Sequence, residues 1–498
     1  MYETDLLMCI AFILLFMYIS GAIRDYMKYR RQFWNIRGPK SLPLTIIAYI
    51  FTARSNADRF EVLQNLSKRY PRYYSVWFGT KYLFVTDDPH VSQKLLTIPD
   101  CVEKNFFMDF FGFPRGLIAM KSDRWKYERK LLNSSFSLST LQSYVPIFTK
   151  CITKSIEHLK ANCDKGEFDI KHDVTVVVMN AVMNTTFGKD ISRDVAKIFM
   201  ENTDKYLDNI WNRAMMPHYH YDLIYNLSSL KRDQDKNRKF FFDFITNEWN
   251  QIQNGNCNDA DVENSFIGQL LKVSKNGRNY EIEDILDHCG TMMVAAADTM
   301  STALNFIVLM LAMHENVQDC IIKEINDVLG DECMKEDLII DYEKLSTLKY
   351  VEMTIKEALR LFTPATGLFR ETKADVDLGI ENIQLPKGTN LVINIYGLHR
   401  KKEIWGDDAH LFKPERFDFE NSYDKSPFAF LPFASGIRMC VGNRYAMIFM
   451  KLIVLHYVKN FHFSTSLKYD EMRVKAGITL KLIGNHLVKI TRRGTERL

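Results

Sequence analysis

Most of the chain carries apolar residues at helical spacing, interrupted by a few short runs rich in β-branched and aromatic residues. The longest helical pattern, from Glu283 to His314, is charged at its start and apolar through its middle, which predicts a helix that crosses a core. Three β-rich runs predict hairpins over residues 73–87, 376–391 and 477–491, the last turning at Gly484–Asn485. Helices do not alternate regularly with strands, so the pattern predicts a mainly α protein with small β-sheets, an α+β fold.

The N-terminus contains an uncharged run of 18 residues, Leu6 to Ile23. A helix of this length, at about 1.5 Å per residue, spans a thin bilayer. Acidic residues precede the run and six basic residues follow it, which predicts a retained membrane anchor with the rest of the chain on the cytoplasmic side. The basic residues are Arg24, Lys28, Arg30, Arg31, Arg37 and Lys40. The alternatives are a buried core helix and a signal peptide with Ser20 and Ala22 at its cleavage site.

The rest of the chain is predicted to form one large domain, because it contains no Gly/Ser linker, internal repeat or long low-complexity run. The predicted parts are an anchor over residues 1–23, a basic, proline-containing hinge over 24–43, and a globular body over 44–498. A net charge of +4 argues against a dedicated nucleic-acid-binding protein. Nine cysteines are too few for a disulfide scaffold, and their odd number leaves at least one for another task in a reducing compartment.

The segment FASGIRMCVG, residues 433–442, carries the most informative chemistry. No nucleotide-binding glycine loop, zinc-protease motif or paired C-x-x-C motif is present, and His218 and His220 are interpreted as surface or packing residues and not as metal ligands. A Cys440 thiolate would be stabilised by Arg438, by backbone N–H groups of the glycine-rich turn and by the start of the following helix. The alternative is that Cys440 is one more buried cysteine.

The pattern F-x-x-G-x-R-x-C-x-G resembles the haem-ligand loop of the cytochrome P450 family. It is carried here by Phe433, Gly436, Arg438, Cys440 and Gly442. Further motifs follow the family's order over nearly the whole chain after the anchor. The resemblance implies a P450-like fold with a single N-terminal transmembrane helix and a haem-binding catalytic domain over residues 44–498. It also implies haem b bound by the Cys440 thiolate, with the other residues of the pattern around the cofactor.

Two further motifs imply structural and cofactor-binding roles. E-x-x-R at Glu357 and Arg360, with P-E-R-F around Arg416, implies a buried charge network that supports the Cys440 segment. W-x-x-x-R and two separate arginines imply hydrogen-bonding partners for the haem propionates. These partners are Trp125, Arg129, Arg370 and Arg438.

The segment Ala295–Thr299 on the long helix resembles the family's A-G-x-D-T-T, which implies that Thr299 and Asp298 deliver protons to oxygen. Many family-4 enzymes have a glutamate linked covalently to haem at the position of Ala295, so this chain is expected to hold haem non-covalently apart from the thiolate. Ala296 replaces the usual glycine and Met300 the second threonine, a change expected to reshape the distal pocket. The chain looks closest to insect microsomal members of the family-4 clan.

The family's substrate-contact regions correspond to mostly apolar residues, which implies a lipophilic substrate such as a fatty acid, hormone, odorant or xenobiotic. They are Met292, Ala295, Ala296, Met300, Thr366, Gly367, Leu368, Ile478 and Thr479. The implied activity is that of a haem-thiolate monooxygenase, which inserts one oxygen atom of O2 into this substrate. Two other classes stay open: a haem-thiolate isomerase or dehydratase that needs no reductase, and a catalytically silent haem-binding protein.

Electrons must come from a partner, because the sequence holds no nucleotide site. The resemblance implies NADPH–cytochrome P450 reductase, with cytochrome b5 as a further donor, at the endoplasmic reticulum membrane facing the cytoplasm. A basic cluster is predicted to dock the acidic partner, ordinary solvated charge being the alternative. The cluster consists of Lys121, Arg124, Lys126, Lys130 and Arg444.

Overall fold

The computed structural model describes residues 2–39, 55–255, 259–275, 280–334, 338–418, 420 and 425–493. In chain order the helices are α1 (Tyr2–Asn35), α2 (Asn56–Arg69), α3 (Pro89–Thr97), α4 (Ser122–Leu132), α5 (Leu138–Lys160), α6 (Lys171–Phe187), α7 (Arg193–Met215), α8 (Asp222–Asn226), α9 (Ser229–Gln253), α10 (Asp259–Asn264), α11 (Phe266–Lys275), α12 (Ile282–Met313), α13 (Glu315–Leu329), α14 (Tyr342–Thr347), α15 (Lys349–Leu361), α16 (Ile395–Leu398), α17 (Lys402–Trp405) and α18 (Asn443–Asn460). The strands are β1 (Tyr73–Phe78), β2 (Lys81–Thr86), β3 (Phe168–Asp169), β4 (Gly367–Glu371), β5 (Val376–Asp377), β6 (Gln384–Leu385), β7 (Asn390–Asn394), β8 (Phe461–Ser464), β9 (Val474–Ala476), β10 (Leu480–Leu482) and β11 (Leu487–Arg492). The predicted mainly α architecture with small sheets is confirmed.

A four-stranded sheet with the order β1–β2–β7–β4 forms one side of the body. β1 and β2 are the hairpin predicted for residues 73–87, with Tyr73 opposite Thr86. β7 runs parallel to β2 and antiparallel to β4. The hairpin predicted for residues 376–391 is shorter than expected: β5 and β6 pair over two residues each, and the chain then continues into β7 of the large sheet.

The hairpin predicted for residues 477–491 is wrong in its pairing. β10 pairs back with β9, whereas β11 pairs with β8 and β3 in a different sheet. Gly484, at a φ of +110°, lies in the connection between these two sheets. The alternating pattern located the strands correctly, but local alternation carries no information about the partner of each strand.

Helix α12 forms the centre of the core, as the pattern from Glu283 to His314 predicted. It packs against α6, α7, α9, α15 and α18. Among the residues whose side chains are described, it is the one helix long and apolar enough to cross a membrane, and most of it is buried inside the protein. This burial identifies α12 as a core helix.

Helix α1 continues without a break through residues 24–35, the first part of the range that the sequence assigned to the hinge. Residues 40–43 lie outside the described residues. Its second half packs on the β1–β2 hairpin, where the rings of Tyr29 and Tyr82 stack with centroids 4.9 Å apart. Six apolar side chains that precede residue 24 are exposed: Phe12, Ile13, Phe16, Met17, Ile19 and Ile23. The anchor over residues 1–23 stays a prediction.

A buried charge network joins α15 to the 3₁₀ turn at Pro414–Phe417. Glu357 and Arg360 are fully buried, and Nε and Nη2 of Arg360 donate to the two carboxylate oxygens at 2.7 Å. Nε of Arg416 lies 3.4 Å from the same carboxylate. Burial raises the pKa of Glu357, and the hydrogen bonds and charge of Arg360 oppose this shift. The structure thus brings together the charged residues of the E-x-x-R and P-E-R-F motifs.

The network reaches the Cys440 segment through His399. Nη1 of Arg360 donates to the His399 carbonyl at 2.8 Å, and the backbone N–H of Leu431 donates to Nε2 of the His399 ring at 2.8 Å. Burial, together with the charge of Arg360, holds the pKa of His399 well below its usual value, so the ring is neutral and can accept this hydrogen bond. The backbone is therefore held two residues before Phe433.

Replacing Arg360 by Met is expected to lower the free energy of unfolding by about 3–5 kcal/mol, because Glu357 would stay buried without its partner. Urea unfolding measures this loss. Lys356→Met on the same helix is the matched control, because its partly exposed i,i+4 pair with Glu352 contributes at most about 0.5 kcal/mol. Equal losses in the two variants would contradict the importance of the network.

Candidate active site

A cavity of about 370 Å³ lies beside the Cys loop, which we define as residues 433–442. Its walls come from α4, the middle of α12, the residues around the start of β4, and the Cys loop itself. Most of the lining side chains are apolar. Cys440, Thr299 and four cationic side chains also line it. The cavity therefore combines a lipophilic wall with a small set of reactive and charged groups, as ligand sites usually do.

The Cys loop directs the thiol of Cys440 into this cavity. The backbone N–H of Cys440 donates to the carbonyl of Phe433 at 3.0 Å, which closes the loop. Helix α18 begins directly after Gly442, so the sulfur lies close to the positive end of a helix dipole. The position favours a negatively charged sulfur.

Opposing effects act on the pKa of the Cys440 thiol. Burial is the largest and raises this pKa. The backbone N–H of Gly442 and the positive charges of Arg129 and Lys104 lower it. Additional positive charge at the sulfur, such as a metal ion, would complete the stabilisation of a thiolate.

Gly436 adopts a conformation that other residues rarely adopt. Its φ is +71°, in the left-handed region, and a Cβ placed on it would lie 2.1 Å from the carbonyl oxygen of Leu96. The absence of a side chain thus lets the Cys loop lie against the end of α3. This contact positions the Cys loop against α3 at the cavity wall.

Buried arginines form one wall of the cavity. Burial lowers the pKa of Arg370 and of Arg438 to about 10 each. Both nitrogens of the Arg438 fork donate to the carbonyl of Met120 at 3.1 Å, and its guanidinium lies over the Trp125 ring at 4.1 Å. Its Nε has no hydrogen-bond partner in the part of the chain that the structure describes. Glu103, 3.9 Å away, is the carboxylate paired with Arg438.

Two further cations line the same cavity. Nη1 of Arg129 donates to the carbonyl of Met439 at 3.1 Å, which joins α4 to the Cys loop. Burial, together with the charges of Arg370 and Arg438, holds the pKa of Lys104 well below its usual range. So much positive charge around one cavity matches an anionic ligand, because charge-assisted hydrogen bonds to carboxylates would offset the desolvation of these cations.

In a comparison with known protein families, the family model for cytochrome P450 matches residues 37–487. The chain belongs to the cytochrome P450 family. It is 29% identical to the probable cytochrome P450 313b1 of Drosophila melanogaster over 94% of this chain and 95% of that protein. It is 24% identical to cytochrome P450 4c21 of Blattella germanica, over 90% of this chain and 91% of that protein.

The predicted resemblance to insect and family-4 P450 enzymes is thereby confirmed. Cytochrome P450 4V2 of Rattus norvegicus, at 25% identity over 89% of this chain and 87% of that protein, belongs to the same set of relatives. The protein is therefore an oxidoreductase, a cytochrome P450 monooxygenase of a family that binds haem through a cysteine thiolate.

The residues around the cavity fit haem. Cys440 presents its sulfur to an apolar space, as a proximal ligand must. The buried Arg370 and Arg438 and the half-buried Lys104 and Arg129 match the two propionate groups. The Nε of Arg438, which has no hydrogen-bond partner among the described residues, is a further donor. Haem would supply the activation of O2, while the protein supplies orientation and electrostatics.

One face of α12 lines this cavity with the residues expected there. They are Met292, Ala295, Ala296, Thr299 and Met300. The hydroxyl of Thr299 donates to the carbonyl of Ala295 at 2.7 Å, so it is held within the helix at the cavity wall. Leu368, at the start of β4, also lines the cavity.

The structure places other predicted site residues elsewhere. Thr366, Gly367 and Ile478 line a separate apolar cavity of about 130 Å³. Asp298 does not line the haem cavity, because its carboxylate accepts hydrogen bonds from Thr479 and Lys481 on another side of α12. Asp298 therefore faces away from the cavity that its neighbour Thr299 lines.

Of the four cationic side chains that line the cavity, Lys104 is the one that no sequence motif identified. It lies in the irregular segment between α3 and α4, where no motif marks a ligand-binding residue. Only the folded chain indicates that Lys104 belongs to the site. Its segment runs between Cys101 and Phe107, both buried, and Lys104 lies at the cavity wall. A half-buried lysine whose pKa is held low beside two arginines is unusual, which marks Lys104 as a functional candidate.

Gly436→Ala is expected to abolish haem incorporation, because the new Cβ would displace the Cys loop from Leu96. The haem-to-protein ratio and the reduced carbon monoxide spectrum measure this loss. Gly484→Ala is the matched control: Gly484 also has a positive φ, but no atom lies within 4 Å of its Cβ position. It should cost only backbone strain, about 1–2 kcal/mol, and keep its haem. Full haem content in Gly436→Ala would contradict the packing argument.

Proposed function

We propose that this protein is a microsomal monooxygenase that uses Cys440 as the haem ligand and oxidises a neutral or weakly polar lipophilic molecule. The observation that carries the proposal is the convergence of the Cys440 thiol, four cationic side chains and Thr299 on one largely apolar cavity. Such a cavity supplies a thiolate for the iron, charge for the propionates and a hydroxyl beside the reacting atoms.

Each group on the cavity wall has a proposed task. Arg129, Arg370, Arg438 and Lys104 hold the propionates, and Trp125 supports Arg438 through its ring. Phe433 accepts the hydrogen bond that closes the loop under Cys440. Gly436 and Gly442 keep the loop close to the cofactor because they carry no side chains. Thr299 and the apolar residues of the cavity wall are proposed to contact oxygen and the substrate.

Thr299 is proposed to hold and pass protons at the oxygen-binding side of the cavity. Its hydroxyl is anchored on the Ala295 carbonyl at 2.7 Å, which leaves its oxygen able to accept a hydrogen bond from water or substrate. Ala295 and Ala296 leave space beside it, whereas Met300 takes up space. The lining supports a lipophilic substrate bound by shape and apolar contact.

Electrons are proposed to come from NADPH through NADPH–cytochrome P450 reductase, with cytochrome b5 as a further donor. Lys126, Lys130 and Arg444 are exposed, as a docking surface for an acidic protein requires. The hydrogen bond between Arg129 and the Met439 carbonyl places α4 beside the Cys loop. Two members of the predicted cluster already have partners within the chain: Lys121 pairs with Asp109, and Arg124 with Asp284.

The proposed location is the endoplasmic reticulum membrane, with the catalytic body on the cytoplasmic side. The six exposed apolar side chains of α1 that precede residue 24 support an anchoring role, because a large exposed apolar surface is typical of a region that contacts lipid or another protein. The basic residues that follow suit the cytoplasmic leaflet.

Reconstitution of the purified protein with reductase, O2 and NADPH tests the activity. A substrate is first found by the change in haem spin state across a panel of lipophilic compounds. We expect an oxygenated product, a lower ratio of product to NADPH in Thr299→Ala, and recovery in Thr299→Ser, which keeps the hydroxyl. Cys440→Ser should lose the thiolate-type carbon monoxide spectrum. Unchanged coupling in Thr299→Ala would refute the proton-delivery role.

Removal of residues 2–23 is expected to shift the protein from the membrane fraction to the soluble fraction of cells, because the apolar first half of α1 is lost. Fractionation by centrifugation, with the haem spectrum as a check on folding, measures the shift. Persistent membrane association at high salt would show that other surfaces anchor the protein.

A further inference from the structure

Two pairs of ionisable side chains join α4 to the first part of α12. Nη2 of Arg124 donates to the Asp284 carboxylate at 2.7 Å, and Nε2 of His288 lies 3.7 Å from Oε2 of Glu128. The two members on each helix are four residues apart, so they lie one turn apart on the same face. We call these four residues the charge ladder.

The inner pair of the ladder, Glu128 and His288, is enclosed by protein. Their side chains are 0% and 1% exposed, whereas the Arg124 side chain is 43% exposed. The buried face of α4 otherwise carries Ser122, Trp125 and Leu132. A buried carboxylate is unfavourable unless charge and hydrogen bonds compensate it. Because an apolar side chain would fill this position without that cost, packing alone does not account for Glu128.

Two further groups lie close to the Glu128 carboxylate. The Tyr280 hydroxyl donates to Oε2 at 2.8 Å, and the Tyr280 ring packs edge-on against the His288 ring, with centroids 5.6 Å apart. Nε of Arg124 lies 4.0 Å from Oε1. Nε2 of His288 has no hydrogen-bond partner in the described part of the chain, so its interaction with Glu128 is chiefly one of charge.

Other charged groups face the ladder from neighbouring segments. Nη1 of Arg115, in the segment between α3 and α4, lies 3.4 Å from Asp284, and the backbone N–H of Arg115 donates to Asp287 at 2.8 Å. The Asp287 carboxylate in turn interacts with the charge of His288. His288 therefore faces carboxylates on both helices, Glu128 on α4 and Asp287 on α12.

The order of the charges specifies the register of the two helices. Along α4 a cation is followed by an anion, and along α12 an anion is followed by the histidine. If α4 shifted along α12 by one turn, about 5.4 Å, Arg124 would face His288 or Glu128 would face Asp284. Either shift brings like charges together inside the protein, which is costly. The ladder is thus compatible with one register.

This register determines where both helices meet the haem cavity. Trp125 and Arg129, which line the cavity, are the residues that directly follow the two ladder members on α4. On α12, His288 precedes the cavity residues Met292 and Ala295 by one and two turns, on the same face of the helix. A change of register would therefore displace the cavity residues of α4 relative to those of α12.

We propose that Glu128 and His288 form a buried ion pair that positions α4 for haem binding. The pair holds α4 in register with α12, and so determines where Trp125 and Arg129 meet the propionates. Neither Glu128 nor His288 lines the haem cavity, so both act through the helices that carry them. The inference rests on the proposed function, because it takes Trp125 and Arg129 as propionate partners.

Two sets of variants of the haem-loaded protein test the pair. The first set is Glu128→Gln, His288→Gln and the double variant, because glutamine can still form hydrogen bonds but carries no charge. The second set exchanges the residues, Glu128→His together with His288→Glu. The first readout is the rate of haem transfer to apomyoglobin. The second is the resonance Raman bands of the haem propionates, which respond to the hydrogen bonds that the propionates accept.

In each single Gln variant we expect shifted propionate bands and haem transfer about tenfold faster than in the parent protein, because one buried charge has lost its partner. The double Gln variant should lie closer to the parent than either single variant, since no unpaired charge remains. Single effects that are absent, or that simply multiply in the double variant, would overturn the proposal. If the single variants do not fold, the exchange decides: parent-like haem transfer supports the pair, and failure to retain haem overturns it.

Asp173→Asn is the matched control, because it breaks another pair of a histidine and a buried carboxylate at a distance from α4. Asp173 on α6 lies 3.5 Å from His158 on α5. We expect a lower urea midpoint in this variant and unchanged propionate bands. Band shifts equal to those of Glu128→Gln would show that a general loss of stability moves the propionates, and would contradict a role in register.

Failure of the proposed function would give different results. Unchanged propionate bands in Arg129→Met would refute the propionate role of α4, and a parent protein that forms no product with reductase would refute the monooxygenase reaction. The haem-transfer rates of the two sets of variants require neither reductase nor substrate. They would still decide whether Glu128 and His288 act as a pair.

Discussion

The Cys440 thiol opens into the cavity, where desolvation by the surrounding protein raises its pKa, and the fold has to supply the positive charge that opposes this shift. Helix α18 begins directly after the Cys loop, and Arg129 and Lys104 lie close enough to stabilise negative charge. The same cations serve the propionates of haem in the proposed site. Because all of these groups act over a few ångströms, the position of one loop controls the whole site.

The position of the Cys loop is fixed by contacts on two sides. Gly436 lets the Cys loop lie against the carbonyl of Leu96, and His399 holds the N–H of Leu431 just before the loop. His399 is in turn held by Arg360, whose charge is buried with that of Glu357. A buried ion pair of this kind contributes little net stability, but removing one partner is costly, so its value here lies in fixing geometry.

Helix α12 separates two kinds of space. Its apolar face and Thr299 line the haem cavity, whereas Ser301, Thr302 and Asn305 line a polar cavity of about 270 Å³ on another side of the helix. Asp298 contacts Thr479 and Lys481 there. One helix can serve both because successive residues point about 100° apart. The sequence analysis grouped Asp298 with Thr299 as neighbours in one motif, and the helix directs them to different sides.

Local spacing and short motifs with fixed positions were enough to predict the mainly α fold class, the β1–β2 hairpin, the core helix and the family. Only the folded chain shows how β10 and β11 pair, that Lys104 reaches the cavity, and which groups bind Asp298. Each of these depends on contacts between segments far apart in the chain. Local patterns describe which face of an element is apolar, but they do not specify which distant element covers it.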